Sequence, residues 1–284
     1  MTADGQTAEL LNMTSDEFAT LTRAFRDYTN RFAGADGELH PLLRLKVDHC
    51  RRVATEARVL SADLGWELTD QNRAEAVGLL HDVGRFCQFN TYGTFSDAAS
   101  ADHGELGERV VVRNNWLPTM TFANNNAVRD AIRYHNRRVV PEDLPRASLP
   151  WVRLIRDADK LDILHLVLAG VENNGFRKFP DMLPDVSLER RPSEAVLREL
   201  TDHRSCSLAS VTSLGDFLLL EISWVYDLNY TPSFVRLAER DILTRLRRQI
   251  AGDAAVDAIV RQAQGVVSER IRESAASPPN ESMT

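Results

Sequence analysis

Apolar residues recur at three- and four-residue spacing over most of the chain, the period of an amphipathic helix rather than the strict alternation of a half-buried strand. Phe18, Leu21, Phe25 and Tyr28 open the pattern, with Ser15 and Asp16 expected to cap the helix. After Pro41, the run Leu42, Leu45, Val47, Val53, Ala57 and Leu60 predicts a second helix. Thr69 and Asp70 are read as the cap of a third, which carries Ala74, Val77 and Leu80 towards Gly84. The pattern lapses between Arg85 and Ala101, where Asn90, Gly93, Ser96 and Asp97 predict a loop placed to act as a lid, and it resumes at Leu106, Val110 and Val111.

Asn124 to Asn126 are expected to cap a helix bearing Val128, Ile132 and His135. Trp151, Leu154, Ile155, Ala158, Leu161 and Leu164 then form one broad apolar face, so a helix starting near Pro150 belongs in the core. Residues 173–192 read as a loop, and helical patterns return over 214–226 and 237–271. The expectation is an all-α protein of one domain over residues 1–272, with a core at 40–170, a helical extension at 193–272 and a disordered tail at 273–284.

Composition removes several alternatives. A chain of 284 residues, 43% hydrophobic, can bury a sizeable core. Its net charge of -7, with both signs interspersed, offers no basic face to track a nucleic-acid backbone, so no nucleic-acid polymer is expected as a partner. The start, MTADGQTAELLNMT, lacks the basic and apolar regions of a secretory signal, and no stretch approaches the roughly 20 apolar residues of a membrane span. A cytoplasmic protein without a membrane partner is expected. Cys50, Cys87 and Cys206 show no C-x-x-C spacing and read as reduced thiols.

The polar residues that need explaining are His49, His81-Asp82, His103, His135 and Asp159, each on or beside a predicted helix. They follow one another at 32, 22, 32 and 24 residues, which suits successive antiparallel helices returning the chain to one level. Imidazole nitrogen and carboxylate oxygen are ligands for iron, manganese, zinc and cobalt. Asp82 is the candidate to bridge two ions about 3.5–4 Å apart. One such histidine alone is usually a surface or core residue; the pattern is what points to metal. His40, His165 and His203 lack comparable context and are read as structural.

The order H…HD…D, here His49, His81-Asp82 and Asp159, resembles the HD-domain superfamily of metal-dependent phosphohydrolases. LLHDVGRF at 79–86 is similar to the end of that family's central helix, and IRDADKLDIL at 155–164 to its last helix, which points to Asp159 rather than Asp157 as ligand. YGTFSDAASADHGELG at 92–107 and YHNRR at 134–138 resemble a bacterial subgroup with two further histidines, here His103 and His135. Six ligands then imply two divalent ions, iron or manganese by preference, with zinc, magnesium, cobalt or nickel compatible. The fold implied is an HD-domain helical bundle with a C-terminal helical extension, to which ISWVYDLNY at 222–230 is similar.

The activity implied is hydrolysis of a phosphoester in a nucleotide or small phosphorylated metabolite. The cyclic-di-GMP phosphodiesterase branch is set aside, because its second histidine and GYP sequence are missing where this chain has His135-Asn136. HD-type mixed-valent di-iron oxygenases share the six-ligand arrangement and are the main alternative; a nucleotide sensor without turnover is another. Alongside Asp82, Arg85 could clamp phosphate with its planar fork, or make only a surface salt bridge. Lys160 could neutralise phosphate or hold Asp157 or another carboxylate, the structural role being favoured.

Arg137 and Arg138 face the same choice as Lys160, while Asp102 and Glu105 could orient His103 or only serve a helix N-terminus. Phe86, Phe89, Tyr92 and Phe95 could stack on a base, although packing is favoured. Trp224, Tyr226 and Tyr230 could close over the site or form the face of a homodimer.

Overall fold

The computed structural model describes residues 13–117, 122–178, 183, 186–252 and 254–276. Among them the fold is all-α: the only β pairing consists of the isolated bridges Ala33 to Leu39 and Ser187 to Ser213. Contacts divide the chain into two units, Met1–Arg156 and Asp157–Thr284.

The first unit begins with α1 (Ser15–Asn30), whose cap is Thr14 and not the expected Ser15-Asp16 pair. Thr14 Oγ1 accepts from the Glu17 amide at 3.2 Å while Glu17 Oε2 accepts from the Thr14 amide at 2.7 Å, a reciprocal box that satisfies two otherwise orphaned donors. Leu21, Phe25 and Tyr28 are its buried stripe. Pro41 opens α2 (Pro41–Asp63), where a missing amide costs nothing, and His40 Nδ1 accepts from the Leu42 amide. α3 (Leu68–Leu80) starts at Leu68 without a side-chain cap, so Thr69 and Asp70 lie inside its first turn.

α2 and α3 pack closely because Gly78 faces the Ala54 backbone: a Cβ there would come within 2.6 Å of Ala54 Cα. The chain then turns at His81-Asp82-Val83 into α4 (Gly84–Tyr92). This helix occupies residues 85–92, about the first half of what reads in sequence as a loop. Gly84, Phe86 and Gln88 are its buried positions, and Phe86 sits edge-on to Phe25 and Tyr28. Its apolar stripe is too short to register as a period. Gly93, at φ +69°, ends the helix, and the true loop is residues 93–102.

Gly84 therefore opens α4 and does not close α3. Its hydrogen in place of a side chain lets α5 (His103–Arg113) approach, since a Cβ would lie 2.1 Å from the His103 carbonyl oxygen. α6 (Phe122–Tyr134) begins before Asn124, so the three asparagines lie inside the helix and not at its cap, and His135 falls in the turn just beyond it. Glu108 of α5 holds Arg129 and Arg133 of α6 at 2.5 and 3.5 Å.

The division between units falls within α7 (Leu149–Glu172). Its predicted apolar face is real: Leu154, Ile155, Ala158, Leu161 and Leu164 are all buried. Within the second unit follow α8 (Gly175–Lys178), α9 (Glu194–His203), α10 (Leu214–Ser223), α11 (Thr231–Glu239), α12 (Ile242–Arg247) and α13 (Ala254–Ala276). The helical pattern at 237–271 thus comprises three helices, broken where Asp241 adopts φ +49° and again after Arg248. Leu218, Ile222, Phe234, Leu237, Leu246, Val260 and Ala263 are buried here. α13 runs four residues into the expected tail; from 277 onward that tail lies outside the described residues.

Candidate metal centre

The packing of α2 on α3 and of α5 on α4 and α6 has one chemical consequence in the first unit: four buried imidazoles converge on one buried carboxylate. His49, His81, Asp82, His103 and His135 are each no more than 4% exposed. The two oxygens of Asp82 are served separately. Oδ2 lies 3.7 Å from Nε2 of both His49 and His81. Oδ1 lies 3.3 Å from Nε2 of His103 and 3.6 Å from Nε2 of His135. Two groups result, His49-His81-Asp82 and Asp82-His103-His135, each with ligand atoms close enough to hold one ion and with Asp82 common to both.

The outer ring nitrogens show which inner ones bear lone pairs. His81 Nδ1 lies 2.7 Å from the Gly78 carbonyl and His135 Nδ1 2.8 Å from the Ile132 carbonyl, acceptors that require Nδ1 to carry the proton. His103 Nδ1 likewise faces the Asp97 carboxylate at 2.7 Å. In the neutral rings Nε2 is then a lone-pair donor aimed inward.

His103 and His135 bring these lone-pair atoms to 3.1 Å, and Nε2 of His49 stands 3.2 Å from that of His81. Two lone pairs cannot hydrogen-bond to each other. A cation shared between them resolves the contact, because ligands about 2.1 Å from one ion stand roughly 3.0–3.4 Å apart for angles from 90° to tetrahedral. Burial holds His103 down to about 4 despite its bond to Asp97, with Arg85 adding to the effect, so the ring is neutral near pH 7. Burial pushes the Asp82 carboxyl up, but Lys46, His81, His135 and Arg85 together hold it well below the ordinary carboxylate range. The donor set fits divalent metal.

A second set of residues fixes this one, and most of it carries no signal in the sequence reading. Lys46, one turn before His49 on α2, places Nζ 2.6 Å from Asp82 Oδ2. Gln88, fully buried, donates to Asp97 Oδ1, Ser100 Oγ and the Ala101 carbonyl at 2.8–2.9 Å, pinning the 93–102 loop. Asn136 donates to Asp97 Oδ2 at 3.1 Å. Arg156 is buried and donates to the backbone carbonyls of His135 and Arg137, fixing the turn that presents His135. Asp97 could have been suspected only as the acid in the loop before His103.

Among the anticipated residues, Arg85 reaches Asp82 Oδ1 at 3.5 Å through Nε, while its Nη1 donates to Gln88 Oε1, the Phe95 carbonyl and Asp97. Asp97, not Asp102 or Glu105, orients His103: Asp102 caps α5, and both it and Glu105 pair with Arg137, at 3.3 and 2.9 Å. His40 caps α2, and His165 and His203 are exposed. Phe86 packs in the core; Phe89 stacks obliquely on Phe95, and Tyr92 is exposed.

In the second unit Asp159 and Lys160 lie half-buried on α7, Lys160 pairing with Asp227 at 2.8 Å. There burial, with the Asp159 charge, raises the Glu221 carboxyl well above its ordinary range, against Lys160.

An all-α protein with histidine and aspartate groups able to hold divalent metal is the class that fold and site define. Residues 47–164 match the HD-domain family, a segment that begins at α2, contains every expected ligand and ends on α7. Residues 47–164 are thus similar to the HD domain, a family generally of metal-dependent hydrolases. No curated protein and no solved structure matches it. Among the described residues no helix is long and apolar enough to cross a membrane.

Proposed function

We propose that the protein is a metal-dependent phosphohydrolase that cleaves a phosphoester of a nucleotide or small phosphorylated metabolite at a binuclear centre. The observation that supports this reading best is the two-sided environment of Asp82, with one histidine pair at each oxygen. His49 and His81 would hold one ion and His103 and His135 the other, with Asp82 between them; Asp159 enters as the sixth ligand through its place in the family pattern. When bound, divalent ions supply Lewis acidity towards a phosphoryl oxygen and lower the pKa of water.

The chain's own residues do the rest. Asp97 and the Gly78 and Ile132 carbonyls keep His103, His81 and His135 in the tautomer that presents Nε2. Arg85 is the phosphate clamp of this account: Gln88, Asp97 and the Phe95 carbonyl hold its Nη1, which fixes the guanidinium plane, and its buried Nε has no hydrogen-bond partner. The Lys160 pair with Asp227 favours a structural role for that residue.

A phosphate-release screen over nucleotides and small phosphoesters, run with and without oxygen, tests the reading. Release that depends on added divalent metal and is indifferent to oxygen is expected. Turnover only with iron and oxygen would move the chain to the oxygenases, which could use the same ligand types.

A further inference from the structure

We propose that Lys46 is a substrate-positioning residue that, together with Arg85, forms a two-cation subsite for a dianionic phosphoryl group beside the metal centre. The proposal rests on the phosphohydrolase reading and adds a residue to it.

Lys46 and Arg85 come from different helices and address different oxygens of one carboxylate. Lys46 Nζ is 2.6 Å from Asp82 Oδ2, and Arg85 Nε is 3.5 Å from Oδ1. The ring of Phe95 is near both, 5.8 Å from the Lys46 ammonium and 5.8 Å from the Arg85 guanidinium carbon. An aromatic face attracts cations without neutralising them, so it can gather two positive groups that remain available to an anion. The Lys46 side chain is 23% exposed against 4% for Asp82, so it is the more accessible member of the pair.

Charge balance says what this arrangement is for. In the metal-free protein Asp82 and Asp97 offset Lys46 and Arg85. Two divalent ions would add four positive charges to that balanced set. That excess is poorly suited to a neutral substrate and well suited to a phosphate monoester dianion. Lys46 Nζ would share Asp82 Oδ2 with any ion held by His49 and His81. The flexible four-carbon stem of lysine then lets Nζ turn to an anion held at the centre, a movement less open to the planar, tethered Arg85. The alternative, that Lys46 serves only to balance buried Asp82, makes different predictions.

The test is titration of metal-loaded wild-type, Lys46→Met and Lys46→Arg proteins with inorganic phosphate by calorimetry, with metal content measured on the same samples. Lys46→Met is expected to keep the wild-type metal content and bind phosphate about 10- to 100-fold more weakly, the loss of one charge-assisted hydrogen bond. Lys46→Arg is expected to stay within about threefold, and in turnover of a phosphomonoester Lys46→Met should raise KM more than it lowers kcat.

Should Lys46→Met not fold, Lys46→Gln keeps a donor for Asp82 without the charge and serves in its place. Unchanged phosphate binding in the uncharged variant, or weakening that only parallels loss of metal, overturns the proposal. A wild type that loads metal and binds phosphate through Lys46 but cleaves no phosphoester would overturn the hydrolase reading alone. A wild type that takes up no metal overturns both.

Discussion

Two aspartates, one in each unit, are almost equally buried and do opposite things. Asp82 is 2% exposed and Asp157 0%. Around Asp157 every close partner is a neutral donor: Asn229 gives its amide and side-chain nitrogen, Tyr230 its amide and Ser233 its hydroxyl, all within 3.1 Å. Burial outweighs those bonds and pushes the Asp157 carboxyl above its usual range. Around Asp82 the partners are two cations and four imidazoles, and the carboxyl is held low instead. The first arrangement closes a carboxylate off and ties residues 229–233 to the start of the unit's first helix. The second surrounds the carboxylate with imidazole nitrogens that could hold a metal ion. Burial alone does not mark a site; the character of the surrounding groups does.

The largest effect should come from Asp82→Ala. It is expected to reduce bound metal and bring phosphoester cleavage to background, as read by elemental analysis and phosphate release. Asp97→Ala leaves every ligand in place but frees the outer nitrogen of His103, and should weaken metal binding about 10- to 100-fold in a competition titration with a chelator. An Asp97→Ala protein with wild-type affinity would show that His103 is oriented by something else.

Asp157→Ala should behave in the contrary way. Leaving its donors buried and unpaired costs about 1–3 kcal/mol in urea unfolding, while the metal affinity of the His49-His81-Asp82 and Asp82-His103-His135 groups stays within a few-fold of wild type. Loss of metal as complete as in Asp82→Ala would erase the contrast between the two aspartates.

The smallest effect is on pH dependence. Folded His103 is held at about 4 against an ordinary 6.5, so as pH falls through that interval the unfolded chain takes up a proton that the folded protein does not, and stability declines. Folded Asp82 and Asp97 are also held low, which adds stability above the ordinary carboxylate range and removes it below; Asp157, raised, works in the opposite sense. Urea midpoints of metal-free protein between pH 7 and 4.5 should fall with pH, and fall less in His103→Gln. Equal slopes for the two proteins would contradict the assignment.

How much of this was legible in the sequence follows from the range of the interactions involved. The all-α class and the α7 face were readable because they rest on a local period, and the spacing of the histidines pointed to a shared site because antiparallel helices return to one level. α4 was hidden because only Gly84, Phe86 and Gln88 are buried in nine residues. The cap of α1 was missed by one position, since Ser15, Asp16 and Thr14 all precede the apolar run.

The supporting residues were less legible still. Lys46 lies one turn from His49 and could have been found by asking what shares its helix face. Gln88 and Arg156 could not, and Asp97 only as the acid in the loop before His103, because their roles depend on loop 93–102 and the turn at His135, whose paths no period encodes. Gly84 was read as a helix stop when its role is steric, a fact visible only once α5 is in place.

The most direct test of the central claim is the metal content of wild-type protein purified without chelator, measured by elemental analysis. The account predicts about two divalent ions per chain, one for each histidine pair at Asp82. A protein that carries none, and acquires none on incubation with iron, manganese or zinc, would contradict it.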